Sequence, residues 1–398
     1  MRKENISRNY IQKRLYTYHF LNDGITFILP TLMASFFILF DLTWFQMGLI
    51  FAFNSLTTII GQLIIGHYTD KDISENLMKL GLFILALSTL LMIFSFNFTS
   101  LLIFAIISGI ALAFQHSISY ATTSRMYKEN SDVMIGRQGA SGDVGKCVAV
   151  FSSALILIFL SWKLVLLIWS SIVFIIFIII CLNFRNVKFK DYYIKFNDEN
   201  KYLQTNPNVR VGKLIIGLIF TIFVLHLAIY SLLITNLATY LRVEKTGIIS
   251  EYSGLILGYT LIFGVIGAYL SGFVKKNYGL TNSVITISFI LLIILIYYLI
   301  LNTSDFVINL FFYSLIGFFL FLMYPQLLAA VNDIFHTKKV GFGYGLVLCL
   351  GWFGNFIGSL IGGYYADIYS GDVFFIISII MLVINLVLAS IIKLSHKI

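Results

Sequence analysis

Long apolar runs follow one another along almost the whole chain, separated by short polar stretches. Their approximate limits are 15–39, 44–66, 77–97, 100–122, 138–160, 164–184, 212–240, 250–274, 281–302, 306–331, 341–366 and 372–392. A helix of about 20 residues crosses a hydrocarbon core of about 30 Å, because each residue adds about 1.5 Å. The pattern therefore predicts an all-α membrane protein with twelve transmembrane helices.

The order of these runs divides the chain into two equal sets. Six predicted spans lie within residues 1–185 and six within residues 212–398. The segment 186–211 between them is rich in Lys, Asn, Asp and Tyr. We therefore expect two six-helix bundles joined by a cytoplasmic linker, with a binding site between the bundles near the middle of the bilayer.

Composition supports the membrane class. Of the 398 residues, 59% are hydrophobic and 11% are charged, which excludes a disordered chain and most soluble multidomain enzymes. The three cysteines, Cys147, Cys181 and Cys349, fall within predicted spans and lack metal-ligand spacing. We therefore expect small core residues there, with no disulfide and no metal site.

The distribution of basic residues predicts the orientation. If the N-terminus is cytoplasmic, 23 of the 27 Lys and Arg residues fall in cytoplasmic segments, Lys146 falls within a span, and only Lys163, Arg242 and Lys245 fall in outer loops. This asymmetry satisfies the positive-inside rule and predicts a multi-pass protein of the cell membrane with both termini cytoplasmic. The net charge of +9 follows from this topology. No nucleic-acid partner is therefore needed to explain the charge, and the expected partners are the lipid bilayer and a small-molecule substrate. We also expect a monomer.

A few ionisable residues lie deep within predicted spans, where each costs roughly 2.5 to 3.5 kcal/mol on insertion scales. Asp23 and Lys146 each come nine residues after a basic residue at the predicted inner interface, and His116 comes nine residues before one. The three groups therefore share one predicted depth. His19 precedes Asp23 by one helical turn, and Asp143 can pair with Lys146 three positions later.

These groups are candidates for proton coupling, because protonation of a desolvated carboxylate is controlled by its charged neighbours. The predicted proton-coupling residues are Asp23, His19, Asp143 and Lys146. The alternative is a static cluster of hydrogen bonds and ion pairs that holds the bundle together.

The segment GHYTDKDISENLMKLG, residues 66–81, resembles the loop signature of the major facilitator superfamily, with Gly66, Asp70 and Lys71 at matching positions. This resemblance implies the major facilitator fold and transport by alternating access, with spans 1, 4, 7 and 10 lining the cavity and spans 3, 6, 9 and 12 facing lipid. It also implies that Gly66, Asp70 and Lys71 latch the cytoplasmic gate, and Arg125 and Asp132 are the candidate partners of this latch. The alternative for the loop is a solvated segment whose ion pairs contribute little.

Three further stretches are similar to the fosmidomycin-resistance branch of drug-efflux proteins in that superfamily. They are HFLND at 19–23, the Gln-His pair before SRM within 115–126, and the Gly-rich segment 341–367. The branch implies antiport and efflux of a solute.

Polar side chains in the spans that the resemblance places on the cavity are candidates for substrate contact. The predicted substrate-binding residues are Asn22, His116, His226, Tyr324 and Gln326. A histidine can donate, accept or titrate near neutral pH, and Pro325 predicts a kink that exposes the polar tips of its neighbours. The alternative for each residue is a packing role, with its polar atoms satisfied by neighbouring helices.

Together these observations predict a secondary active transporter. No P-loop is present, so a proton gradient is the expected energy source and no cofactor is predicted. We expect proton-coupled export of a small amphiphilic or drug-like solute. The alternatives are proton-coupled uptake of a small organic anion and, more remotely, a polytopic membrane enzyme.

Overall fold

The computed structural model describes residues 7–71, 73–127, 130–185, 187–194, 212–334 and 340–395. Within these ranges twelve helices are long and apolar enough to cross a membrane, and no strand is present. The predicted all-α class with twelve spans is confirmed. Spans 1 to 6 are the helices Arg8–Leu39, Trp44–Thr69, Ser74–Leu91, Phe98–Tyr127, Ser131–Phe159 and Trp162–Asn183. Spans 7 to 12 are the helices Lys213–Tyr230, Ser253–Tyr278, Leu280–Leu301, Phe306–Ile334, Val340–Ile368 and Val373–Ser395.

Span 1 begins earlier than its apolar run predicts. The Ser7 side chain caps the helix by accepting a hydrogen bond from the backbone N–H of Tyr10. Ile11 and Leu15, in the first turns, are fully buried. Basic residues between them lower the local hydropathy, which is why the apolar pattern missed this part. The resulting helix has 32 residues, and Asp23 lies at its middle.

Span 7 changes its helical form towards its second end. The α-helix Lys213–Tyr230 continues into a π-helical segment, Ser231–Thr235, and then into the short helix Leu237–Glu244. A second short helix, Ile248–Glu251, precedes span 8. A π-helical turn holds an extra residue and so changes which side chains face a neighbour, and such turns are frequent at functional sites.

The two sets of six spans meet along two helix pairs. Span 2 packs against span 11, and span 5 packs against span 8. Span 1 is central, because 78% of the residues in its most apolar stretch are buried, compared with 33% in span 6. Large apolar side chains of spans 6, 9 and 12 are exposed on the outside, as expected for a surface that contacts lipid.

The first described residues of the predicted linker pack on spans 1 to 6. Phe189 in the 3₁₀ turn Phe189–Tyr192 is fully buried, and its ring meets Phe184 edge-on at 5.3 Å. The backbone N–H of Ile194 donates to the carbonyl oxygen of Arg125 at 3.1 Å. Residues 186 and 195–211 lie outside the described residues, so the predicted linker limits of 186–211 stay predictions.

Candidate functional site

A buried polar cluster lies between spans 1, 4 and 5. Around the carboxylate of Asp23 are Lys146 Nζ at 3.2 Å, His19 Nε2 at 3.5 Å and His116 Nε2 at 3.6 Å. Lys146 Nζ also donates to Asp143 Oδ1 at 2.8 Å. We call these five residues the charged cluster. The structure thus brings together the groups that the sequence placed at one depth, and it places His116, a predicted substrate-binding residue, beside the predicted proton-coupling residues.

Glycines let spans 1 and 5 approach closely enough for these contacts. A Cβ atom on Gly142 would lie 2.6 Å from His19 Cδ2 and 2.7 Å from Asp23 Oδ2. A Cβ atom on Gly24 would lie 3.1 Å from the carbonyl oxygen of Gly145. A larger residue at 142 would displace the His19 and Asp23 side chains, and one at 24 would press on the backbone of span 5. The small residues therefore keep the ammonium next to the carboxylate.

The charged cluster holds two carboxylates and one ammonium. With both imidazoles neutral the cluster carries one net negative charge, and one added proton makes it neutral. The Asp23 side chain is only 8% exposed, so water screens this charge poorly. The arrangement is therefore suited to binding and releasing a single proton.

His19, Asp23 and His116 also offer one ligand atom each, all within 4.8 Å of one another. Imidazole and carboxylate together form a donor set that suits transition metals. The ammonium of Lys146 already lies against the carboxylate, however, and would repel a divalent cation placed there. These residues fit a proton better than a metal ion while Lys146 keeps this position.

A small cavity of about 60 Å³ lies between the two halves of the protein, lined by spans 1, 2, 7 and 11. We call it the central cavity, and its polar lining includes Asn54, Ser55, Ser231, Thr235, Asn355 and Ser359. Spans 2 and 11 line it in place of spans 4 and 10, and His116 of span 4 faces the charged cluster instead. No Asp, Glu, Lys, Arg or His is among the described residues that line it.

Aromatic rings separate the central cavity from the charged cluster. Lys146 Nζ lies 5.9 Å from the ring centroid of Phe27, and Phe27 meets Tyr230 edge-on at 6.5 Å. Both rings also line the cavity. A solute in the cavity and a proton in the cluster would therefore act on opposite sides of one aromatic wall.

The five predicted substrate-binding residues lie outside the lining of the central cavity. Asn22 donates to the cluster carboxylate at 3.4 Å, and His116 belongs to the charged cluster. Tyr324 stacks on His226 with a centroid distance of 6.5 Å. Gln326 donates to a carbonyl of its own helix at 2.9 Å. The cavity residues were missed because single Asn and Ser residues barely change the hydropathy of a span.

A larger cleft of about 310 Å³ opens between spans 1, 5 and 8. It carries two residues of opposite charge, Arg242 and Glu251, and lies at the predicted outer end of span 1 beside Ser35. It shares no described lining residue with the central cavity.

The predicted gating residues meet at the opposite, predicted cytoplasmic end. Asp70 follows span 2 and forms an ion pair with Arg125 at the end of span 4. The same carboxylate accepts hydrogen bonds from the backbone N–H groups of Gly341 and Phe342, at 3.0 and 3.1 Å. Asp70 therefore ties spans 2 and 4 to the first turn of span 11.

The other two predicted gating residues behave differently from each other. A Cβ atom on Gly66 would lie 2.8 Å from the carbonyl oxygen of Gly341, so the glycine permits the close approach of spans 2 and 11. Lys71 instead places its ammonium 4.5 Å from the ring centroid of Tyr68.

At the other end of the same helix pair, Asp367 makes contacts that the sequence analysis missed. Its carboxylate accepts hydrogen bonds from the backbone N–H groups of Trp44 and Phe45, at 2.6 and 3.0 Å. The signal was present in the chain, because GYYAD at 363–367 has the G-x-x-x-D spacing of GHYTD at 66–70. It was overlooked inside a Gly-rich span.

Comparisons with known proteins agree with this architecture. A family model described as Major Facilitator Superfamily matches residues 15–351 and 253–396. The crystal structure of the nucleoside transporter NupG is similar, with a TM-score of 0.72 at 15% identity, covering 98% of this chain and 99% of that chain. A bacterial homologue of the human lysosomal transporter Spinster, inward-facing and occupied, has a TM-score of 0.74 at 14% identity, covering 98% and 97%. No curated protein sequence matches the chain. The extent of the family match shows that this chain belongs to the Major Facilitator Superfamily.

Proposed function

We propose that this protein is a proton-coupled secondary active transporter that exports a small amphiphilic or drug-like solute by alternating access. The observation that carries the proposal is the charged cluster, where Asp23 is buried beside Lys146 and two histidines. Membership of a transporter family supports transport. Export and antiport are supported by the resemblance of HFLND and the segment 341–367 to the fosmidomycin-resistance branch.

The proton acts, in this proposal, on the contact between spans 1 and 5. Neutralising Asp23 removes its attraction to the ammonium 3.2 Å away, which leaves Lys146 paired with Asp143 alone. Span 5 also packs against span 8 of the other half. A change in the contact between spans 1 and 5 therefore acts on a helix at the junction of the halves, where rocking motions take place.

Uptake of a small organic anion has less support. It would need a free positive charge in the cavity, and the described lining of the central cavity contains no Lys, Arg or His. Lys146 is the nearby cation, and two carboxylates already contact it. A membrane enzyme is disfavoured by membership of a transporter family.

We further propose that the protein is a monomer in the cell membrane with both termini cytoplasmic. The guanidinium of Arg8 donates to the carbonyl oxygen of Tyr192 at 2.8 Å, and the backbone N–H of Ile194 donates to the carbonyl oxygen of Arg125. Basic residues from two spans thus gather at the end where span 1 begins. The positive-inside rule assigns that end to the cytoplasm.

Flux through purified protein in liposomes tests the function. A thermal-unfolding screen in detergent identifies a solute, with uridine among the first probes because one similar structure is that of a nucleoside transporter. An imposed pH gradient should then drive accumulation by the natural protein. The variant Asp23→Asn should lose gradient-driven accumulation and keep exchange of labelled for unlabelled solute.

Asp41→Asn is the matched control, because it removes the same charge at an exposed position with a left-handed backbone that Asn also adopts. It should change neither measurement. Undiminished uphill transport by Asp23→Asn would refute the assignment of the proton site.

A further inference from the structure

The lining of the central cavity indicates the chemical class of the solute, an inference that rests on the proposed transport function. Both halves contribute polar but uncharged groups, with Asn54 and Ser55 from span 2, Asn355 from span 11, and Ser231 from the π-helical segment. A charged solute would leave water for a site without a counter-charge, which is costly. The cavity therefore selects a neutral solute.

The polar groups also indicate which atoms the solute presents. The side-chain oxygen of Asn355 is buried and has no hydrogen-bond partner in the described part of the chain. Ser231 and Ser359 bond each other across spans 7 and 11 at 2.9 Å. An unpaired buried acceptor calls for a donor on the ligand, because leaving it unpaired costs free energy.

Aromatic side chains form the remaining walls. Phe27, Tyr230 and Trp352 line the cavity with faces and edges that pack well against a flat ring. In this conformation the volume of about 60 Å³ is less than half that of an apolar cavity of about 150 Å³ that binds benzene. Only part of a ring-sized solute fits until the halves separate.

We propose that the central cavity binds a small, neutral, amphiphilic solute with a flat ring and a hydrogen-bond donor, and that Asn355 accepts from that donor. Three pyridines that share a ring but differ in charge test this directly. They are nicotinamide, which is neutral, nicotinate, which is an anion, and 3-(aminomethyl)pyridine, which is a cation at pH 7. Binding to the full chain in detergent is measured as a shift in unfolding temperature and by calorimetry.

Nicotinamide should bind at millimolar concentration and the two charged analogues should not. Asn355→Leu should weaken nicotinamide binding by about tenfold, the loss of one buried hydrogen bond. Asn355→Asp should reverse the preference and favour the cation. Asn277→Leu, an exposed amide on span 8, should change nothing and controls for general effects.

Preferential binding of a charged analogue, failure of nicotinamide to bind, or unchanged binding in both Asn355 variants would each overturn the assignment of solute class. The result is independent of proton coupling. Neutral binding that depends on Asn355 would stand even if Asp23→Asn retained uphill transport, and loss of uphill transport in Asp23→Asn would stand even if the cavity preferred ions.

A second inference comes from a different observation, the matching contacts at the two ends of the pair formed by spans 2 and 11. These spans run antiparallel, and at each end the Asp of a G-x-x-x-D segment accepts two backbone N–H groups from the first turn of the other helix. A Cβ atom on Gly363 would lie 2.6 Å from the carbonyl oxygen of Trp44, matching the close approach at Gly66. Carboxylates are favoured at helix N-termini, where N–H groups lack partners.

The two ends differ in charge. Asp70 also pairs with Arg125, whereas Asp367 has no ion pair among the described residues. We infer that Asp367 is an outer latch, the counterpart of Asp70, and that it opens more readily because no guanidinium holds it. Loss of either carboxylate should free its own end of the helix pair.

A single cysteine at Ser55, which lines the central cavity, reports which end is open. The background protein has Cys147, Cys181 and Cys349 replaced by Ser, and a membrane-impermeant maleimide is added from one side of oriented vesicles. Asp367→Asn should raise labelling from the predicted outer side roughly threefold, because an exposed charge at a helix terminus contributes only a few tenths to one kcal/mol. Asp70→Asn should raise labelling from the cytoplasmic side.

Asp305→Asn is the matched control, because Asp305 accepts from Ile308 in its own helix and so bridges no helix pair. It should leave both rates unchanged. Equal labelling of Asp367→Asn and the parent from the outer side, in protein that elutes as a single species from gel filtration, would overturn the outer latch.

Discussion

The ammonium of Lys146 on span 5 lies 3.2 Å from the carboxylate of Asp23 on span 1. The contact joins two helices of the same half at a depth that water barely reaches. Asp143 holds the same ammonium at 2.8 Å from within span 5. One cation therefore serves two acids, and the strength of its bond to one depends on the other.

This shared cation predicts unequal effects of removing each charge. Lys146→Met removes the cation that Asp23 and Asp143 share and should destabilise the protein by about 3 to 5 kcal/mol. Asp143→Asn keeps the pair with Asp23 and should cost less. The double variant Lys146→Met/Asp143→Asn should be more stable than Lys146→Met alone, because removing Asp143 also removes a carboxylate that has lost its cation. Thermal unfolding in detergent measures all three, and equal losses in the two single variants would contradict the shared contact.

Gly142 predicts a sharp dependence on side-chain size. Ala at this position would place a Cβ atom 2.6 Å from His19 Cδ2 and 2.7 Å from Asp23 Oδ2, so both side chains must move from their present positions. We expect Gly142→Ala to cost about 1 to 3 kcal/mol of stability and to abolish gradient-driven flux. Gly139→Ala is the control on the same span, since nothing lies within 4 Å of its Cβ position. It should be neutral or stabilising, and a similar loss there would rule out crowding as the cause.

The aromatic wall predicts a leak. Phe27→Leu should thin the barrier between the central cavity and Lys146, so protons should cross pyranine-loaded liposomes without solute. Phe321 is the matched control, because its ring lies 5.8 Å from the same ammonium but does not line the cavity. Phe27→Leu and Phe321→Leu should each cost roughly 1 to 2 kcal/mol of stability, but only Phe27→Leu should let protons leak across the membrane. Equal proton flux in both variants would argue against a barrier at Phe27.

The contacts of Arg125 predict that Lys cannot replace Arg at this position, although the two side chains carry the same charge. Its guanidinium donates to the carbonyl of Thr69 at 3.0 Å and pairs with Asp70, which a lysine ammonium cannot match in geometry. Arg125→Lys should weaken the contact with Asp70 by about 1 kcal/mol, and so raise cytoplasmic labelling of the Ser55 cysteine about fivefold. Arg137→Lys is the control and should have no effect. Identical labelling in the two variants would show that charge alone holds the latch.

Much of the fold followed from the chain, because twelve apolar runs separated by polar turns leave few alternatives for a membrane protein. The grouping of Asp23, His116 and Lys146 followed as well, since helix rise converts sequence spacing into depth. Depth alone could not say which faces meet. The glycines that bring spans 1 and 5 together determine that, and their role appears only once two particular helices are paired.

The central cavity could not be predicted in the same way. Asn54 and Asn355 lie on spans that pair across the two halves, and neither stands out from its apolar neighbours in a hydropathy window. The π-helical turn that presents Ser231 has no sequence signal that we recognise. Asp367 was predictable in principle, because its spacing from Gly363 repeats that of Asp70 from Gly66.

The packing of Phe189 and Ile194 has a practical consequence for expressing the protein as two separate polypeptides. Phe189 fills a buried site, and its backbone N–H donates to the buried carboxylate of Glu75 at 3.3 Å. A break placed directly after span 6 would remove Phe189 from the first fragment and leave the Glu75 carboxylate without that donor. A break after residue 194 keeps both with the helices they stabilise, so the two fragments should associate into working protein only in that second design.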